Sequence, residues 1–514
     1  FDASNNTWTL ESIAAGQTAT IDVRSTFNGA SDPATFTAAL TPPDEMADVT
    51  NANNTGSADV NLKLFRFHVD GASGDDSNTG TSWNQPFKTL TKALKAARAS
   101  DTNWVAEGTY FPDAGPGTTN DDRSENFTIS GSKDGLAIFG GFAGDESALS
   151  ERNLADHQVI LSGDIGTTDD SSDNSYHVLL FNGTASSGPS GGAVTPATIL
   201  DGFAITGGKA DGSSAPENRG GAIYNTNSSP QLSNLFITGN TADEGGAIYN
   251  AGQDGTSSPQ IVNSVFINNS AQNKGGVLYN NGQNNGTSSP QIINATFFGN
   301  AAGADGGVLY NNGASGESMP QLTNAILWDN SAAGSGDQIY NNAASPVLSH
   351  TLIKGGVNGS GVAGDANTDD GGNINSDPKF VNSADPDGLD DALGTSDDGL
   401  RLVTGSSALE AGDNAALPAD ALDRDGDGDK SESIPQDITG TNRIQNAAVD
   451  MGAYEGGVTP QMLSSFSPKA ATAGQTVTIT GTRLSGTSNI TVGGTKATFS
   501  VNSDTEVTFT VPDN

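Results

Sequence analysis

The sequence predicts an all-β chain folded as a parallel β-helix, and three observations carry that prediction. One phrase occurs five times: Gly220 to Asn225 (GGAIYN), Gly245 to Asn250 (GGAIYN), Gly275 to Asn280 (GGVLYN), Gly306 to Asn311 (GGVLYN) and the worn copy Gly336 to Asn341 (GDQIYN). The starts lie 25, 30, 31 and 30 residues apart, a period that means stacked supersecondary units. Two further phrases keep step with it: SPQLSN from Ser229, with its later copies, and an apolar-x-x-Asn phrase closing each unit at Asn240, Asn269, Asn300 and Asn330. Three short apolar phrases per unit, split by Gly, Asn and Ser, read as three short strands joined by turns.

Counting outward from Pro230, Pro259, Pro290 and Pro320 puts like on like. Two residues on stand Leu232, Ile261, Ile292 and Leu322; four on, Asn234, Asn263, Asn294 and Asn324; seven on, Ile237, Phe266, Phe297 and Leu327. Coils stacked about 4.8 Å apart would merge the apolar columns into one core. The Asn columns would form amide ladders at turns, where Asn tolerates left-handed backbone. The five Tyr of the first phrase make the one regular aromatic column, expected to stack along the coils.

The GGAIYN and GGVLYN phrases, with the apolar-x-x-Asn phrase, resemble the GGA[IV] and FxxN repeats of polymorphic outer membrane proteins and related bacterial surface proteins. The resemblance covers about residues 200–345. It implies a right-handed parallel β-helix at a cell surface, with a role in adhesion and display and no catalytic residues.

In chain order, residues 1–64 alternate apolar and polar (TWTLESI, TATIDVRSTF, ATFTAAL, ADVNLKL), a β-sandwich pattern. They resemble the later part of tandem Ig-like repeats of bacterial surface proteins. Residues 65–115 resemble the opening of bacterial right-handed β-helix proteins, pectate-lyase-like ones included. Within them Thr91–Ala99 is the expected helix, with Phe87, Leu90, Leu94 and Ala97 on one face. Its expected role is to cap the open end of the solenoid, whose strand edges invite aggregation. Residues 116–455 are expected to be solenoid throughout, with strands at Gly135–Phe142, Val159–Ile165, His177–Phe181 and Thr198–Gly208. Further coils are expected up to Glu455, roughly a dozen in all. Residues 459–514 resemble an IPT/TIG domain through SFSP, AGQTVTITG and VGGTKATF. A chain starting at Phe1 without Met reads as a segment of a longer polypeptide.

Composition narrows the function. Net charge is −38 with 22 Lys and Arg, which repels nucleic acid and favours divalent cations as counter-ions. No Cys is present, so no disulfide holds the fold. No apolar run reaches membrane-spanning length.

The strongest chemical pattern is Asp423-Arg424-Asp425-Gly426-Asp427-Gly428-Asp429. Alternating Asp at 423, 425, 427 and 429 puts carboxylates on one side of a tight loop, and Gly428 at the sixth position permits the turn a Ca²⁺ shell needs. The twelfth position is Ile434, so the bidentate Glu of an EF-hand loop is missing there. Asp385 to Asp391 and Asp365 to Asp369 are weaker candidates. Asp164 and Asp201 read as turn residues, Arg401 and Arg443 have no partner motif, and the four His share no ligand spacing. His350 takes a ladder Asn's place. Asn-x-Ser/Thr sequons, such as those at Asn268 and Asn489, carry little weight in so Asn-rich a chain.

The expectation is a structural and adhesive protein of the extracellular space or bacterial cell surface, without catalytic or cofactor-binding residues and with structural Ca²⁺ as its one expected ligand ion. It would contact glycans, neighbouring surface proteins or its own copies, in the last case as the repeating unit of a fibre. The alternatives are a polysaccharide lyase or hydrolase, marked by acids with Arg or Lys in one groove across adjacent coils, and a passive glycan-binding module with an aromatic strip.

Overall fold

The structure, a computed structural model, describes residues 34–39, 55–60, 64–184, 192–253, 255–459, 462–484, 487 and 489–513. It divides into two units, residues 1–63 and 64–514. In the first, Ala34–Ala39 pairs antiparallel with Thr55–Val60. The expected TWTLESI and TATIDVRSTF strands lie outside the described residues.

The second unit holds the parallel β-helix. Leu232 pairs in register with Ile261, Ile261 with Ile292, and Ile292 with Leu322. Ile237, Phe266, Phe297 and Leu327 form a second inward column, and both columns are buried in one continuous core. The repeat coils feed three sheets, but not one phrase to each: GGxxYN enters an eight-stranded sheet, the SPQ and apolar-x-x-Asn phrases both enter the sixteen-stranded one, and the residues just after the ladder Asn, such as Thr241–Glu244 and Ser270–Lys274, form a five-stranded one. The GGxxYN sheet stacks eight strands, from Phe127–Ser130 to Val362–Gly364.

The corners follow from residue type. Asn234, Asn263, Asn294 and Asn324 adopt φ of 52°, 48°, 53° and 55°, and His350, in their column, 44°. Among residues with a Cβ, Asn is one of the few that adopts this left-handed turn readily. The first Gly of each GG pair also has positive φ, and a Cβ on Gly245 would stand 2.4 Å from the carbonyl oxygen of Ile248.

Two amide ladders run between coils. Asn240, Asn269, Asn300 and Asn330 are linked Nδ2 to Oδ1 at 3.1, 3.1 and 2.8 Å. A second, wholly buried ladder joins Asn225, Asn250, Asn280, Asn311 and Asn341 at 2.8 to 2.9 Å. The Tyr column faces away from the main core, and its rings stack with centroids 4.9–5.7 Å apart. Tyr249, Tyr279 and Tyr310 are buried, and Arg219 and Lys274 lie over the rings of Tyr249 and Tyr310. This column therefore offers no open aromatic strip.

The capping helix α1 spans Leu90–Ala96, shorter than expected, because Ala97 turns to extended backbone. Thr89 caps it by accepting the N–H of Lys92 at 3.2 Å, and Phe87, Leu90, Leu94 and Ala97 all enter the core. The strands expected before the repeats are present as Ala137–Phe142, Val159–Ser162, Leu179–Asn182 and Ile199–Thr206.

The solenoid ends earlier than the sequence suggests. Its last strand is Thr368–Asp369, with one more bridge at Ile374. Residues 378–458 add no coil; they run back over the outer face of the long sheet as a strap. That face carries apolar columns that water would otherwise wet. Phe236, Val265 and Ile267 are covered by Leu400, Ile438, Ala453 and Tyr454; Ile326 by Leu402, Ala408 and Met451; Val262 by Leu417, Ile434 and Val449. Burial of apolar surface at about 25 cal/mol per Å² explains why these phrases pack across the coils rather than extend them.

Residues 462–513 form a four-stranded antiparallel sheet, in the order Met462–Ser467, Thr476–Thr482, Glu506–Thr510, Thr498–Ser503, with a small hairpin at 491–496.

Candidate functional site

The strap is fastened by the left-handed Asn column. Asn263 Nδ2 donates to Gln436 O at 2.9 Å, Asn294 Nδ2 to Asp450 O at 3.2 Å, and Asn324 Nδ2 to Asp413 O at 3.0 Å. A turn that bends the coil inward thus leaves an amide outside to hold the strap.

Between strap, coils and the turn at 149–154 lies a groove of about 460 Å³. Gln231, Ser233, Asn234 and Asn263 line one wall and Gln436 and Thr439 the other. Arg152 and Arg424 also line it, and both meet the buried Asp201. Arg152 Nη1 lies 2.8 Å from Asp201 Oδ1, and Arg424 Nη2 3.3 Å from Asp201 Oδ2. Arg424 Nη1 also bonds Asp420 at 2.7 Å, and Ser233 Oγ donates to Asp201 at 2.6 Å. Burial alone would raise the pKa of Asp201, but the two guanidiniums and Ser233 hold it down at about 2. Asp201, expected to be a turn residue, is instead a fully buried strand residue at the centre of an ion cluster.

Asp437, at the groove's end, is also fully engaged. Its Oδ1 accepts from Thr439 and Thr441 N–H and its Oδ2 from Glu455 N–H, at 2.7–2.9 Å. Behind it Arg443 is buried, with Nη1 on Ala453 O at 2.9 Å and Nη2 on Gly452 O. Its Nε lies 3.9 Å from Glu455 Oε2. Arg443, which had no partner in the sequence pattern, thus ties two parts of the strap together.

The acidic loop closes differently from the EF-hand pattern. Carboxylate oxygens of Asp423, Asp425 and Asp427 lie within 4.8 Å of one another, and so do those of Asp420, Asp425 and Glu432. Asp429 is in neither group; its carboxylate accepts from the N–H and hydroxyl of Ser431. Glu432 stands at the tenth position of the loop, not the twelfth. Its Oε1 is shielded from solvent without a hydrogen-bond donor, and burial together with Asp427, Asp425, Asp429 and Asp420 pushes its pKa up. An all-oxygen, multiply acidic set with a bare buried carboxylate oxygen fits a hard divalent cation. Counting fixed EF-hand positions overlooks Asp420 and Glu432; scanning for any acid beyond the Asp run would have found both.

The weaker acidic runs form no such group among the described residues. Asp365 accepts from Ala343 N–H, and Asp369 from Gly371 N–H and Asn373 Nδ2. Asp385 faces Asp387, Asp391 and Asp397, and burial and these like charges raise its pKa.

Fold and groove define a parallel β-helix protein with an Ig-like β-sheet module after it. The chain belongs to the family described as a protein of unknown function (DUF1565), which matches residues 72–377, and residues 460–514 match the IPT/TIG domain. No curated protein matches it. Similar solved structures include a rhamnogalacturonan lyase, 14% identical over 56% of this chain and 68% of that one, with a TM-score of 0.27. Pectate lyase Pel9A is 16% identical over 77% of this chain and 97% of that one, with a TM-score of 0.29.

Proposed function

We propose that this chain is a structural and adhesive protein of the extracellular space, and that its groove holds a segment of neutral glycan. The observation that carries the reading is the division of labour in the groove. Asp201 and Asp420 neutralise Arg152 and Arg424 at the floor, while amides and a hydroxyl from Gln231, Asn234, Asn263, Gln436 and Thr439 line the walls. Amides and hydroxyls suit sugar hydroxyls. Proton abstraction beside a uronate would need a basic group free to act, and the two guanidiniums there are already spent on carboxylates. The repeat phrases that resemble those of bacterial surface proteins support the same location. Calcium held by Asp420, Asp423, Asp425, Asp427 and Glu432 would fasten the strap that forms one wall.

The lyase or hydrolase reading keeps one observation in its favour: acids and arginines do share a groove across adjacent coils. A glycan array probed with the full chain separates the two. Neutral glycans should be retained, and Gln436→Trp, a bulky change at an exposed wall position, should lower retention at least tenfold. Shortened oligosaccharide products on incubation with soluble polysaccharides would decide for the enzyme instead.

A further inference from the structure

A second acidic loop lies elsewhere on the solenoid. Residues 163–175 (GDIGTTDDSSDNS) leave the coil after Val159–Ser162 and return to it at a closed neck, where Ser175 N–H donates to Gly163 O at 2.8 Å. The tip, residues 166–172, is exposed. At the neck, four side-chain oxygens are hidden from solvent and have no hydrogen-bond partner: Asp164 Oδ1, Asp173 Oδ1, Asn174 Oδ1 and Ser175 Oγ. Asn174 is 7% and Ser175 0% exposed.

The other polar atoms of these side chains are bound within the loop or to the adjacent coil. Asp164 uses its Oδ2 on Asp169 N–H at 3.1 Å, and Asp173 its Oδ2 on Thr167 N–H at 2.8 Å, so both carboxylates are folded into the loop. Asn174 donates Nδ2 to Gly207 O on the next coil at 2.6 Å, and its Oδ1 is left buried without a donor. Gly207 joins the two sides: a Cβ there would lie 3.0 Å from Asp164 N and 3.5 Å from Asn174 Nδ2. Two cations border the loop: Arg123 Nε donates to the Asn174 carbonyl at 2.6 Å and Lys209 Nζ to Ser171 Oγ at 3.4 Å, and both also pair with Asp211, so neither bonds the four bare oxygens.

Buried acceptors without donors are costly, and charged ones most of all. Two carboxylate oxygens, an amide oxygen and a hydroxyl make an oxygen-only set of two formal charges, which suits Ca²⁺ with its 2.3–2.6 Å oxygen shell and discriminates against softer metals. We infer that the neck of the 163–175 loop is a calcium site, held by Asp164, Asp173, Asn174 and Ser175 and independent of the strap loop.

The test uses the full chain with the strap loop disabled by Asp423→Asn, Asp425→Asn and Asp427→Asn. After chelation and dialysis, this protein is titrated with CaCl₂ by calorimetry. One equivalent should bind, with a Kd in the range of about 10⁻⁴–10⁻³ M typical of extracellular modules. Calcium should also slow proteolysis within the exposed residues 167–172. Adding the near-isosteric Asp164→Asn and Asp173→Asn changes should abolish both effects. Absence of that equivalent in the strap-disabled protein, without any further substitution, overturns the inference. So does an equivalent that survives the two added changes.

Discussion

Asn324 and Asp413 exchange two hydrogen bonds. The Asn324 side-chain Nδ2 donates to the carbonyl of Asp413 at 3.0 Å, and the N–H of Asp413 returns one to Asn324 Oδ1 at 2.7 Å. One side chain thereby mimics a strand edge and pairs with the strap's backbone. It is also the residue that turns the coil, at φ 55°. Corner and clasp are the same residue, so substitutions can separate the two roles.

Asn324→Gly keeps the corner, since Gly accepts positive φ without strain, and loses the clasp together with a long 3.4 Å bond to Asn294 Oδ1. With each hydrogen bond worth about 0.5–1.5 kcal/mol net, the strap should loosen by about 1–3 kcal/mol. Asn324→Ala should cost about 1–2 kcal/mol more, for the left-handed backbone. Hydrogen exchange checks this. Amides near Asp413 should lose protection in both variants, and amides of the neighbouring coils chiefly in the Ala variant. Equal loss in coil and strap for both would contradict the separation.

The buried ladder makes a second prediction. Asn280 accepts from Asn250 Nδ2 and donates to Asn311 Oδ1, each at 2.8 Å, inside the core. Asn280→Ala leaves a donor on one side and an acceptor on the other, at about 1–3 kcal/mol for each stranded group. A loss of about 3 kcal/mol or more, centred on the coils at 250 and 311, should appear in exchange or in thermal melts. Removing the whole ladder, by Val at Asn225, Asn250, Asn280, Asn311 and Asn341 together, should cost less than five times that amount, because no amide of the ladder is then left stranded and only the carbonyl of Asp365, in an exposed residue, loses a donor. Strict additivity would show that the amides act singly.

The solenoid was legible in the sequence because each inward position repeats. Leu232, Ile261, Ile292 and Leu322 say the same thing at a fixed interval, and stacking is the one arrangement that uses the agreement. The strap was not legible. Its apolar residues, among them Leu400, Ile438 and Tyr454, have no period of their own, since they answer outward residues such as Phe236 and Val265 on other coils. Phrases such as VDMGAYEG therefore read as further coils. The candidate metal loop was half legible. Its Asp run stands out locally, while Asp420 and Glu432 join it only when the strap folds. Asp201 gave no local signal, for its partners lie 49 and 223 residues away.

The strap should respond to pH. Burial raises Glu455 to about 8 from 4.5, despite Arg443 beside it, and raises Asp398 to about 6 from 3.8, despite its hydrogen bond from the Tyr454 hydroxyl. Both folded pKa values lie above the unfolded ones, so the folded strap holds more protons between them. Stability falls as the unfolded form releases protons that the folded form keeps. Their contribution is complete below about 4 and lost as pH rises through 6 for Asp398 and 8 for Glu455. Asp201 acts oppositely, but only between about 2 and 3.8. Protection factors along 437–455 should therefore fall from pH 5 to pH 8.5, by roughly tenfold or more, one pKa unit being about 1.4 kcal/mol. Glu455→Gln should flatten the upper part of that fall. A strap that tightens with rising pH would show that Arg443 and Glu455 stay ionised together.

Calcium should act on the strap through Glu432 and not through Asp429. Both residues are acidic and close in sequence, yet the Glu432 carboxylate clusters with those of Asp420 and Asp425, while Asp429 lies outside both clusters and accepts twice from Ser431 through Oδ1. A ligand at ten times its Kd stabilises the form it binds by about 1.4 kcal/mol. Millimolar calcium should therefore raise exchange protection of residues 420–436 by roughly tenfold in the parent chain, and a chelator should remove the gain. Glu432→Gln should abolish the response, and Asp429→Asn should leave most of it. The local readout keeps this loop apart from the one at 163–175, whose amides report separately. Equal responses in the two variants, or protection at 420–436 indifferent to calcium, would mean that these carboxylates are a solvated acidic turn and that the strap is held without a metal, by its apolar contacts, Arg424, Arg443 and the Asn column.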